Sequence, residues 1–198
     1  VRVLDLDFDK PLPFLVPSGT GRYANRGLQV LLANPQILDT QLRALAEALT
    51  IAPMADLWVM APMVLNAAEA ATFAGIARRA GLKHIGVMVE VPELAEPTEI
   101  AKVLEHVDFL SIGTNDLTHY TLGLSRQSSA VTLADTRRPE VMKLIEQVVA
   151  AAKKAGKPVG ICGEAASDAE TAAMLIDLGV DSLSASPALL PGLRLALA

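Results

Sequence analysis

The sequence predicts an α/β fold built around a parallel sheet. Three observations carry that expectation. Short apolar runs alternate with helix-length segments, the runs are hydrophobic throughout instead of alternating residue by residue, and isolated polar residues gather where the runs end. The chain has 198 residues, 52% hydrophobic and 20% charged, which suits one compact domain with a sizeable core.

Taken in order, the strand-like runs are "VRVLDLDF", "LWVMAPMV", "HIGVMVEV", "VDFLSIGT", "KPVGICGE" and "DSLSASP". Between them lie helical stretches: "NPQILDTQLRALAEALT", "NAAEAATFAGIARRAG", "PTEIAKVLEHV", "RPEVMKLIEQVVAAAKKAG" and "SDAETAAMLIDLG". Ser167 with Glu170 reads as a capping box, and Gly81, Gly156 and Gly179 stand where a glycine closes a helix. Two stretches are irregular, "DKPLPFLVPSGTGRYANRG" and "LGLSRQSSAVTLADTRRPE". Each is long enough to form a loop over a site.

Strand–helix alternation allows a doubly wound sheet or a (β/α)8 barrel. Arg2, Glu90, Asn115 with Asp116, and Cys162 with Glu164 lie on or just beyond strand runs, mostly at carboxyl ends. So many strands contributing at one end favours a TIM-type barrel, whose strand ends converge on a single mouth. Only six of the eight strands of such a barrel can be counted, so an incomplete barrel over residues 1–198 is expected.

The formal net charge of −5 argues against nucleic acid or an anionic membrane as the main partner. Any bound phosphate should therefore be small. Cys162 is alone, which excludes an internal disulfide, and "VRVLDLDFDK" has no signal-peptide pattern. The longest apolar runs are about half the roughly twenty residues a bilayer span requires. A cytoplasmic location is the expectation.

Glu90 and Asp116 leave neighbouring strands at the same end of the sheet. Two carboxylates near low-dielectric walls call for a cation, and carboxylate oxygens completed by water and phosphate suit Mg²⁺. The same two residues also fit as caps of loops or helices, and Asn115–Asp116 is a good turn sequence. Arg2, Arg26 and Arg126 would grip a doubly anionic substrate if they converged, though each alone also reads as a surface ion pair. Cys162 sits among small neighbours, where a thiol can act as nucleophile or acid; as a lone cysteine it reads first as core. No zinc-ligand spacing, P-loop or Ser-His-Asp arrangement occurs.

"GVMVEVP", "VDFLSIGTNDLTHYTLGLSR" and "GKPVGICGEAASD" resemble the phosphoenolpyruvate-binding barrel of Enzyme I of the bacterial sugar phosphotransferase system. Pyruvate phosphate dikinase and phosphoenolpyruvate synthase share that barrel. The resemblance runs nearly end to end, from "NRGLQVLL" and "ILDTQLRAL" to "DSLSASPALLP". It implies that Glu90 and Asp116 hold Mg²⁺, that Arg2, Arg26, Arg126 and Asn115 hold the phosphoryl group, and that Cys162 is the acid that protonates enolpyruvate. The implied reaction passes the phosphoryl group to a histidine on a separate N-terminal domain, releasing pyruvate. A small phosphocarrier protein would act downstream, and a homodimer is expected.

Departures from the pattern bear on that expectation. Trp58 stands where Enzyme I has a phosphate-contacting arginine, His119 where it has glutamine, and "DLDFDK" where it has a glycine pair. Two strands before Arg2 and a helical region after "LALA" are also wanting, which suggests a piece of a multiphosphoryl transfer protein. The alternatives are a non-catalytic dimerisation or regulatory relative, and the barrel of a synthase or dikinase.

Overall fold

In a computed structural model, the protein is described at residues 1–6, 22–23, 26–124 and 132–197. The first irregular stretch falls largely outside these residues, as do residues 125–131 of the second, Arg126 among them. Five strands form one sheet: β1 (Trp58–Ala61), β2 (His84–Val89), β3 (Phe109–Gly113), β4 (Val159–Cys162) and β5 (Ser182–Ser184). All are parallel, and their order in space is their order in sequence. The sixth expected strand is reduced to a parallel bridge at Arg2 with Met60, where Val3 N–H donates to the Met60 carbonyl at 3.0 Å.

Ten α-helices are found among the described residues. They are α1 (Gly27–Ala33), α2 (Pro35–Ile51), α3 (Ala67–Arg79), α4 (Pro92–Ala95), α5 (Pro97–Leu104), α6 (Thr114–Leu122), α7 (Leu133–Thr136), α8 (Pro139–Ala155), α9 (Ala169–Leu178) and α10 (Leu190–Ala196). Proline opens α2, α4, α5 and α8, because the ring presets the helical φ and the missing N–H would have had no partner in the first turn. Gly81, Gly156 and Gly179 follow their helices in left-handed backbone, as expected. The capping expectation at Ser167 is corrected: a 3₁₀ turn takes Glu164–Ser167, and Asp168 caps α9 by accepting from Thr171 N–H at 2.9 Å.

Side chains alternate between two unlike faces of the sheet. Val59, Ala61, Ile85, Val87, Val89, Leu110, Ile112, Val159 and Ile161 are buried in one core with the inner faces of the helices. Each fully buried Val or Ile in that layer contributes about 1.5–3 kcal/mol. The other face carries Trp58, Met60, Met88, Phe109, Ser111 and Cys162, none of which belongs to that core. Sequential winding with the helical core on one face is barrel topology, since a doubly wound sheet reverses its strand order and covers both faces.

Trp58 lies at the amino end of β1, in register with His84 at the start of β2. Its ring stacks on His84 at 5.2 Å and tilts against Phe109 at 4.9 Å. It is therefore at the opposite end of the strand from the polar residues at the carboxyl ends.

Candidate active site at the carboxyl ends of the strands

Glu90 directly follows β2, on the same face as Met88, and is 2% exposed. Its Oε2 accepts from Met63 N–H at 2.7 Å. Met63 has a φ of 49°, uncommon outside glycine, and this bend aims its N–H into the site. Gly27, itself at φ 45°, packs against that bend, where an added Cβ would come within 2.6 Å of the Met63 Cβ. Gly113, at the end of β3, gives Glu90 its room: a Cβ there would meet Glu90 Cγ at 2.7 Å.

Asn115 and Asp116 form the first turn of α6, not a strand end or a loop. The helix is capped by Gly123 in left-handed backbone. Asp116 is buried and paired with Arg26, Nη1 to Oδ1 at 3.1 Å. Arg26, only 4% exposed, also donates from Nη1 to the Tyr120 hydroxyl at 2.5 Å. Tyr120 stands four residues beyond Asp116, hence on the same side of α6.

Burial, and after it the charge of Asp116, push the Glu90 carboxyl up to about 7; the Met63 N–H and Arg26 pull the other way. Asp5 adds to the rise. It is paired with Arg2 at 2.8 Å and its side chain is nearly buried. Cys162 ends β4, where its Sγ donates to the Ile112 carbonyl at 3.6 Å and lies 3.9 Å from Ser111 Oγ. Burial pushes its thiol upward, the Ser111 hydroxyl opposes this, and Glu90, Arg2 and Asp116 are near enough to act on it. A thiol held upward in pKa keeps its proton at neutral pH.

The structure thus gathers Arg2, Arg26, Glu90, Asp116 and Cys162 at one end of the sheet, with Asn115 beside them. Asn115 is used internally, its Oδ1 accepting from Glu164 N–H at 3.1 Å. Arg126 lies outside the described residues. Sequence reading passed over Asp5, Tyr120 and the backbone of Met63. An aspartate inside the apolar "VRVLDLDF" was a usable signal for the first, and the four-residue spacing from Asp116 for the second. Nothing in the sequence marks Met63.

Mg²⁺ fits this donor set. Among the described residues no group of three or more His, Cys, Asp or Glu side chains surrounds a metal position. The chain supplies two hard carboxylates and leaves the remaining positions to water and ligand oxygen, as Mg²⁺ prefers.

Residues 1–198 match the family model described as PEP-utilising enzyme, PEP-binding domain. The chain belongs to this family. Among curated relatives, phosphoenolpyruvate-protein phosphotransferase of Streptomyces coelicolor is 48% identical over 100% of this chain and 36% of its own length. The multiphosphoryl transfer protein of Xanthomonas campestris is 36% identical over 98% of this chain and 24% of its own length. The chain therefore spans about a third or less of these relatives. Among solved structures, an HpcH/HpaI aldolase/citrate lyase family protein from Burkholderia cenocepacia aligns at a TM-score of 0.56 and 22% identity, covering 82% of this chain and 68% of that one. That likeness is one of fold, to a TIM-barrel family.

Proposed function

We propose that residues 1–198 are the phosphoenolpyruvate-binding domain of an Enzyme I-type phosphotransferase. It binds phosphoenolpyruvate with Mg²⁺ and passes the phosphoryl group to a histidine on a separate N-terminal domain. The observation that carries this reading is the convergence of Glu90 and Asp116 with Arg2, Arg26 and Cys162 on one strand-end mouth, in a member of the PEP-utilising family. Glu90 and Asp116 would hold the metal, which when bound offsets the crowded carboxylate and phosphate charge. Arg2 and Arg26 bind and orient the anion, Arg26 from a buried position and Arg2 from the exposed rim.

The phosphorus–oxygen bond of the substrate breaks as a phosphorus–nitrogen bond to the acceptor forms, leaving enolpyruvate. Its methylene carbon takes the proton held on Cys162 Sγ, giving pyruvate, and the thiolate then recovers a proton from water. In this reading the acceptor is not one of this chain's own histidines. His84 and His106 lie at the amino ends of β2 and β3, and His119 is 7% exposed on α6. In this reading the downstream partner is a small phosphocarrier protein, and the enzyme works as a cytoplasmic homodimer. No helix among the described residues is long and apolar enough to cross a membrane.

Calorimetric titration of the chain with oxalate, a stable analogue of enolpyruvate, tests the proposal. Binding is expected only with Mg²⁺ present and is expected to vanish in Glu90→Gln. Metal-independent binding, or binding that survives the substitution, would overturn it.

A further inference from the structure

Arg26 is held by two acceptors of different fates. Nη1 reaches Asp116 Oδ1 at 3.1 Å and the Tyr120 hydroxyl at 2.5 Å, and Nη2 reaches Asp116 Oδ2 at 3.4 Å. On the proposed function, on which this inference rests, Asp116 turns to a cation when substrate binds. A carboxylate that gives its oxygens to a divalent ion has less to offer a guanidinium. The Tyr120 hydroxyl is neutral and keeps its acceptor capacity.

Tyr120 is itself fixed. Its ring meets Tyr23 edge to face at 4.8 Å. The guanidinium of Arg22 lies over both rings, at 5.4 and 5.3 Å from their centroids, and donates to the Tyr120 carbonyl. Tyr23 in turn donates to Glu93 Oε2 at 2.7 Å, tying this cluster to α4. The clasp therefore joins the segment carrying Arg26 to both α4 and α6.

We propose that Tyr120 is a positioning residue that keeps the Arg26 guanidinium at the mouth once Asp116 is engaged by the cation. It has no contact with the reacting atoms. It acts by removing the rotational freedom that Arg26 would otherwise lose on binding the anion.

The test compares the wild-type chain with Tyr120→Phe, which keeps the ring and removes the acceptor. Expected for Tyr120→Phe are an oxalate affinity about tenfold weaker at saturating Mg²⁺, Mg²⁺ affinity in the absence of oxalate within about twofold of wild type, and an unchanged melting temperature. With Arg26→Lys as background, the same substitution should cost no more than about twofold, because the partner it positions is gone. Nitrogen-15 spectra of the arginine side chains should show slow guanidinium rotation for Arg26 in the Mg²⁺-loaded wild type and fast rotation in Mg²⁺-loaded Tyr120→Phe. Unaltered oxalate affinity would overturn the proposal, as would a parallel fall in metal affinity and melting temperature, which marks a merely structural role. If the wild type binds no oxalate, the functional reading falls, and the spectra at saturating Mg²⁺ alone decide: equal rotation overturns positioning, and unequal rotation supports it.

Discussion

The two ends of the sheet treat their carboxylates in opposite ways. At the amino end, Asp108 accepts from Ile85 N–H at 2.8 Å and pairs with both oxygens to Arg78 at 3.0 Å, while Asp181 accepts from Val159 N–H at 2.8 Å. Each sits just before one strand and caps the start of its neighbour. At the carboxyl end, Glu90 and Asp116 are buried together, with Asp5 near Glu90, and Glu90 is pushed toward its neutral form. Carboxylates at the amino end satisfy backbone and hold the fold; those at the carboxyl end crowd one another and leave charge for a ligand to settle. The same residue type serves stability or function according to which end of a parallel strand it occupies.

The largest test of that contrast is the pH dependence of the metal-free chain. The folded Glu90 titrates near 7, above the 4.5 of the free side chain, so the folded state binds more protons between those values. Its penalty is absent below about pH 4.5, and stability falls as pH rises through about 7, by up to about 3 kcal/mol. Urea midpoints across that range should show the fall, and Glu90→Gln should flatten it. A wild-type profile as flat as that of Glu90→Gln would mean that the carboxyl end is no more crowded than the amino end.

Two glycines on the same sheet face give the next pair of effects. Gly113→Ala drives a methyl into Glu90 and should weaken Mg²⁺-dependent oxalate binding about 100-fold, or about 2.7 kcal/mol. Gly86→Ala would place its Cβ 2.5 Å from the Phe109 ring in the amino half. It should cost about 1–3 kcal/mol of stability by overpacking and leave oxalate affinity unchanged. Calorimetry and denaturation on both variants would expose any exchange of these outcomes. The smallest expectation concerns Trp58: Trp58→Phe should alter oxalate affinity by less than about twofold, because the ring contacts His84 and Phe109.

Alternation of strand and helix was legible because β2 and β3, buried on both sides, read as continuous apolar runs, and β1 to β5 all fall within expected runs. The first run fell short of a named strand. α6 was not legible as a helix, since "TNDLTHYTL" is rich in residues that favour turns and β-branched conformations, and its helicity comes from packing. Glu90, Asp116, Arg26 and Cys162 could be named because polar residues at the ends of apolar runs are conspicuous. Their mutual arrangement could not, because which cation neutralises which anion is settled across ninety positions of chain, as between Arg26 and Asp116. Trp58 was singled out by the resemblance, and its place at the amino end of β1, against His84 and Phe109, could not be read from the sequence.

Sequential winding also imposes an order of assembly. The connection between β3 and β4, residues 114–158, is about twice as long as any other link in the sheet. Doubling a loop adds about 0.6 kcal/mol of closure entropy, which slows that pairing about threefold relative to its neighbours. In pulsed hydrogen exchange during refolding, amides of β1, β2 and β3 should gain protection before those of β4. Glu90 and Asp116 would then come together early, and the Cys162 thiol, together with the contact between Asn115 and Glu164, would arrive last.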